Sequence, residues 1–170
     1  DVESVWPKLE QALRQAISNL VAMRETEGSN IYGDFIKRAD LIAEKLAVIE
    51  ERSPQVVEEY QIRLSDRINE LLAKHNQVIE PERLLQEVAI FADRTSITEE
   101  IVRLKSHIKQ FRLIIDADQP VGRKLDFLIQ EFNREANTIA SKANDYTLAQ
   151  VVVEIKAEIE KIREQIQNIE

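Results

Sequence analysis

Cysteine is absent from this 170-residue chain. That excludes disulfides, thiolate zinc sites and cysteine nucleophiles, and it fits a reducing compartment. Glycine occurs three times and proline four times, too few turn formers for a fold of many short strands. Aromatic residues make up only 5%, so the core is mostly aliphatic. No stretch approaches the roughly 20 apolar residues that a membrane-spanning helix needs, and no signal peptide opens the chain. The first residue is Asp1 rather than Met, as in an excised fragment or a processed product. Several catalytic signatures are missing as well. There is no phosphate-binding glycine loop, H-E-x-x-H, nucleophile elbow or zinc-ligand pattern, and no E-x-x-H pair of the ferritin-like di-iron type.

What remains is rich in Ala, Glu, Lys, Leu, Arg and Ile, with 44% hydrophobic and 32% charged residues. That is the composition of long helices. It predicts an all-α fold of long helical hairpins or a bundle, ending in a coiled-coil-like helix. The net charge of −8 argues against nonspecific polyanion binding, because an acidic surface repels phosphates. The charge is uneven, however: residues 94–142 hold 9 bases against 7 acids, between acidic flanks.

Apolar periodicity places the elements. Leu9, Leu13, Ile17, Leu20 and Met23 predict a first helix over about 3–26, ended by Gly28 and Asn30. A long helical region follows over about 32–74, with Ile42, Leu46 and Ile49 on its first seam. Val57, Tyr60, Leu64, Ile68 and Leu71 mark its second. Ser53-Pro54 between them allows a kinked helix, which the lack of a turn cluster favours, or two helices. Lys74–Gln77 reads as a loop, dividing the chain into a long-helix region, 1–76, and a C-terminal helical domain, 77–170. Pro81 starts a short helix with Leu84, Leu85, Val88 and Phe91 inward. Ser96-Ile97-Thr98-Glu99 matches a capping box ahead of a helix carrying Ile101, Leu104, Ile108, Phe111 and Ile115. After a loop over Asp116–Pro120, Leu125, Leu128, Phe132, Ala136 and Ile139 stripe the next helix. Asp145 is placed to cap the last one, where Leu148, Val152, Ile155, Ile159, Ile162, Ile166 and Ile169 alternate spacings of 4 and 3. β-Branched residues at both seam positions favour higher-order assembly; packing within the same chain is the alternative.

Two polar rows stand out. Opposite the apolar stripe of the helix near 121–144 run Asp126, Gln130, Asn133, Asn137, Ser141 and Asn144. A solvated face in so charged a chain would carry Glu and Lys, and Asn is a mediocre helix former. The row suits either an inter-helix hydrogen-bond ladder or a binding surface. The preceding helix has Glu100, Arg103, His107 and Gln110 off its apolar face. His107 there is a surface residue, a general acid or base, or a neutral metal ligand.

Long stretches of these helices are similar to one bacterial family. They are Arg83-Leu84-Leu85-Gln86-Glu87-Val88-Ala89 with Ala92-Asp93-Arg94, and Thr98 through His107 with Gln110-Phe111. Gly122-Arg123-Lys124-Leu125-Asp126-Phe127 continues through Gln130 to Thr138, with Ser141-Lys142. Val153 through Lys156 and Glu164 through Glu170 match its ending, and Met23 through Gly28 and Val56 through Tyr60 its central region. The chain resembles the YicC-like family over nearly its whole length. Ser96 stands where Asp is expected and Phe132 where Met is usual. Family members carry a mixed α/β region ahead of the position of Asp1, which this sequence lacks.

The resemblance implies metal-dependent endoribonuclease activity on single-stranded or structured RNA, by a homo-oligomer (a hexamer in the complete protein) in the cytoplasm, with no membrane. It makes 1–76 the end of the family's N-terminal part. A nuclease must activate the attacking oxygen and stabilise charge on phosphorus, which carboxylate-held Mg²⁺ or Mn²⁺ can do. His107, Glu131 and Glu135 are the catalytic candidates. Glu87, Glu100, Glu131 and His107 are the candidate metal ligands, with Glu135 beside them. Arg103, Arg123, Lys124, Arg134 and Lys142 are candidates to hold phosphates, and Asn133 and Asn137 to contact RNA. The alternative function is a non-catalytic oligomerisation or RNA-clamp module that needs the N-terminal region for activity. A helical protein-binding adaptor using the last seam is the third reading.

Overall fold

The computed structural model describes residues 2–74, 80–117 and 119–169. Within them the chain forms five helices and no strand: α1 (Val2–Ala73), α2 (Pro81–Thr95), α3 (Thr98–Ile115), α4 (Gly122–Lys142) and α5 (Tyr146–Ile166). The all-α expectation holds. The loop expected over Lys74–Gln77 lies, beyond Lys74, outside the described residues. The chain divides into two compact units, residues 1–37 and 38–170.

The first unit is the N-terminal part of α1. The break expected at Gly28 and Asn30 does not occur, and helix continues through both. One glycine costs a helix only about 1 kcal/mol relative to alanine, and no packed turn competes with the helical hydrogen bonds here. The expected stripe is also not buried within the unit: Leu9, Leu13, Ile17, Leu20 and Met23 are 52–64% exposed.

In the second unit α1 presents Ala39, Ile42, Leu46, Ile49 and Val56, all buried. It remains helical across Ser53-Pro54, so this is one helix and not two. A proline inside a helix removes a backbone hydrogen bond and crowds the preceding turn. Arg52 spans the weak point. Its guanidinium donates to Gln55 at 3.3 Å and to Glu59 at 2.5 and 2.9 Å. The same side chain reaches Asp145 at the start of α5 at 2.7 Å.

Ion pairs show how the helices run. Arg38 donates to Glu158 at 2.8 Å, Lys45 to Glu154 and Arg52 to Asp145, so α5 is antiparallel to α1. Lys105 donates to Glu50 and Arg112 to Asp40, each at 2.6 Å, so α3 is antiparallel to α1 as well. Helix α4 packs against both α3 and α5, completing a four-helix bundle. Its core is aliphatic around a tilted pair of phenylalanines, Phe111 and Phe132, with centroids 6.0 Å apart.

Helix α5 buries Leu148, Val152, Ile155, Ile159, Ile162 and Ile166 at 5% exposure or less. Each such side chain contributes roughly 1.5–3 kcal/mol on burial. The isoleucine seam is therefore filled within the chain, which settles its alternatives in favour of intrachain packing. Asp145 caps α5 as expected, its carboxylate accepting from the Leu148 amide at 2.9 Å.

Two local expectations fail. No side chain caps α3, whose N-cap residue is Ile97. Ser96 instead ends α2, donating its amide to the Asp93 carbonyl, and Glu99 pairs forward with Arg103. On α2 only Val88 is buried, while Leu85 is 58% exposed. The ring of Phe91 on α2 stacks on Tyr60 of α1, with centroids 3.7 Å apart.

Candidate functional site

Helices α3 and α4 share more than an apolar contact. Along one edge of their seam, acids and bases face each other in three rungs. At one end Lys142 donates to Glu100 at 2.7 Å. Next, Arg103 lies 3.8 Å from Glu135 while also bonding Glu99. At the third rung His107 meets Glu131 and Glu135. One ligand atom from each of these three lies within 4.8 Å of the others.

The spacing explains the convergence. Glu131 and Glu135 are four residues apart and so share a helix face, and Arg103 and His107 do the same on α3. The antiparallel packing of α3 on α4 brings the two faces together. Behind them, the ring of Phe132 lies 6.3 Å from the His107 ring at an interplanar angle of 27°, fixing the imidazole against the core. Glu135 is buried at 3% exposure, whereas His107 and Glu131 are part-exposed. The cluster thus opens to solvent on one side.

Two buried polar atoms in this seam have no hydrogen-bond partner among the described residues: His107 Nδ1 and Glu100 Oε2. Such atoms are costly to leave unsatisfied, and each calls for an explanation. An imidazole with one ring nitrogen within 4.8 Å of an oxygen from each of two carboxylates is a donor set that fits a divalent cation. Hard ions take the oxygens, and Mn²⁺ also accepts an imidazole. Glu100 is held differently. Burial pushes its carboxyl up, but the Lys142 ammonium, its own backbone amide and nearby Arg103 outweigh burial and hold it below the usual carboxylate range.

The remaining candidates scatter around this centre. Glu87 is exposed on α2 and outside the three-residue group. Glu100 is also outside it, seven residues or roughly 10 Å along α3 from His107. Arg134 is exposed, 3.8 Å from Glu131. Arg123 and Lys124 are exposed in the first turn of α4, roughly 10–12 Å along the helix from Glu131.

Asn133 and Asn137 belong to a different surface. With Asp126, Ile129, Gln130, Arg134, Thr138 and Arg163 they line an open groove of about 660 Å³ between α4 and α5. Among the described residues no side chain of the amide row bonds a neighbouring helix, as the alternative reading, an inter-helix ladder, would require. Gln130 bonds only Asp126, within α4 at 3.1 Å, and neither Asn133 nor Asn137 has a side-chain partner among the described residues. Arg163 is the residue that sequence reasoning missed. It reads as one more charge off the α5 seam, and only the packing of α5 on α4 brings it to the groove.

A four-helix bundle with a histidine–dicarboxylate centre at one helix seam is the class of protein this arrangement defines. No helix among the described residues is long and apolar enough to cross a membrane. Residues 49–170 match the family profile described as "Endoribonuclease YicC-like, C-terminal". The chain belongs to the YicC-like family. It is 51% identical over all 170 residues to a protein of Clostridioides difficile named "Probable endoribonuclease YicC". It is 36% identical over the same length to one of that name from Haemophilus influenzae. In both cases the whole chain is covered, and it spans 58% of the relative's length.

Proposed function

We propose that this chain carries the reaction centre of a metal-dependent endoribonuclease acting on single-stranded RNA. The observation that carries this reading is the convergence of His107, Glu131 and Glu135, with an unsatisfied imidazole nitrogen. His107, Glu131 and Glu135 would hold Mn²⁺ or Mg²⁺, which when bound polarises a phosphoryl oxygen and makes a coordinated oxygen more acidic. Arg103 and Arg134 stand against the two carboxylates, where a scissile phosphate would find a cation on either side. A ring nitrogen that ligates the cation cannot also carry a proton, so His107 serves as ligand or, where the carboxylates alone hold the ion, as the proton-transfer group, with Phe132 packed beside its ring. Lys142, Arg123 and Lys124 extend the basic path along α4 for flanking phosphates, and Asn133 and Asn137 contact the RNA.

The test is cleavage of a labelled single-stranded RNA with and without Mn²⁺, repeated with Glu131→Gln and His107→Ala. Loss of cutting in both variants supports the assignment. Undiminished cutting by both removes them from the mechanism.

A second reading, a non-catalytic oligomerisation or RNA-clamp module, draws on a separate observation. Leu9, Leu13, Ile17 and Leu20 are half exposed along α1, an apolar stripe of the sort that marks an association surface. Light scattering on the wild type and on Leu13→Glu with Leu20→Glu distinguishes the cases. A homo-oligomer that dissociates in the variant assigns the stripe to assembly, and a wild-type monomer removes it.

A further inference from the structure

The groove between α4 and α5 has a composition that the reaction centre does not account for. Three amides, Gln130, Asn133 and Asn137, line it in a single row with Arg134 and Arg163 at its side. Asparagine costs a helix roughly 0.5 kcal/mol or more relative to alanine, and these two asparagines make no compensating side-chain hydrogen bond among the described residues. Two guanidiniums, Arg134 and Arg163, stand at the groove, each beside a carboxylate outside its lining, Glu131 at 3.8 Å and Glu160 at 3.5 Å.

We propose that this groove reads the bases of single-stranded RNA next to the cleavage site; the inference rests on the nuclease reading above. A site that only tracks phosphates is built from Lys and Arg, which donate but cannot accept. A carboxamide offers a donor and an acceptor side by side, the pattern on the edge of an unpaired base, and such pairs discriminate between bases. No aromatic residue lines the groove, so sequence-tolerant stacking is not its mode of binding. Ile129, fully buried, forms an apolar floor. Position supports the assignment too. Arg134 belongs to the groove and also lies 3.8 Å from Glu131 of the reaction centre. A strand lying across α4 therefore passes from one to the other, with Arg134 at the phosphate between them. Asn133 and Asn137 select, and Arg163 holds backbone.

The experiment measures binding rather than turnover. In the full chain carrying His107→Ala, fluorescence anisotropy follows labelled ten-nucleotide homopolymers of A, U and C. The parent is expected to prefer one of the three. Adding Asn133→Ala with Asn137→Ala weakens the preferred one about tenfold and brings the three within about twofold of each other. Arg163→Ala weakens all three alike and reduces the salt slope by about one. Both asparagine substitutions raise helix propensity, so loss of fold is not the expected cause, and circular dichroism melts check it. Unchanged binding of all three by the asparagine variant overturns the proposal, and so does a parent that binds none of them or shows no preference. Failure of the nuclease reading looks different: His107→Ala and Glu131→Gln cut like the wild type while the asparagine variant still loses its preference.

Discussion

The Arg52 guanidinium in α1 donates to the Asp145 carboxylate at 2.7 Å, and Asp145 is the residue that caps α5. A helix cap and a long-range ion pair thus share one carboxylate. Their hydrogen bonds outweigh burial and hold the Asp145 carboxyl below its usual range, with Arg52 the largest cause.

Asp145→Ala removes both interactions and is expected to cost about 1 kcal/mol through the cap alone. Arg52→Ala keeps the cap and loses the clamp across Pro54. Because the two residues share an interaction, the double variant should lose less stability than the two single losses added together. Urea unfolding of the four proteins checks this, and strict additivity would count against the clamp.

Acid should destabilise the bundle only below the ordinary carboxylate range. The Asp145 and Glu158 carboxyls are both held below the usual range, Asp145 mainly by Arg52 and Glu158 mainly by Lys161, with Arg38 adding to it. Glu100 is held low as well. Groups with lowered folded pKa values contribute fully above the ordinary carboxylate range of about 4, and that contribution is lost as pH falls through the folded values. Melting temperature should therefore be flat from pH 7 to 5 and fall below about pH 4. Asp145→Asn should flatten part of that fall.

The pair of buried Glu100 and part-exposed Lys142 yields a prediction of opposite sign. Lys142→Met leaves Glu100 buried without its cation, at a cost of about 1–3 kcal/mol at neutral pH. Burial then acts with only weaker opposition and raises the carboxyl, so the variant's deficit should shrink as pH is lowered and Glu100 takes a proton. Comparing melts of the variant and wild type at pH 7 and pH 5 tests this, and a deficit independent of pH would show that Lys142 stabilises by packing.

Metal binding can be read without RNA. Mn²⁺ at about 100 times its dissociation constant should stabilise the folded chain by about 2.7 kcal/mol, seen as a higher melting temperature that chelator reverses. His107→Ala and Glu131→Gln should abolish the rise. Arg103→Gln removes a cation that competes for Glu135, so it should strengthen Mn²⁺ binding while weakening RNA binding. An Arg103 variant that loses both would make Arg103 a structural strut.

Much of the fold was legible because burial follows helical period. The stripes on α3, α4 and α5 and the Asp145 cap are local patterns of spacing and residue type, and the structure repeats them. The run of helix through Pro54 was legible from the lack of a turn cluster beside it; the run through Gly28 was not, since a weak helix former ends a helix only where something else competes for the backbone. Glu131, Glu135 and His107 could be named individually from their residue types. Their meeting could not, because it depends on the register between two antiparallel helices, which no spacing within one helix encodes.

The sequence by itself determined which residues of α3, α4 and α5 face inward, that the chain is predominantly helical, and that α4 carries an unusual row of amides. Tertiary structure decided the rest. Packing of α3 on α4 separated His107, Glu131 and Glu135 from Glu87 and Glu100, which residue type alone had grouped with them. Packing of α5 on α4 filled the isoleucine seam and brought Arg163 to the amides. The physical reason is the same in each case. Periodicity specifies a face, but only contact between helices specifies what that face meets.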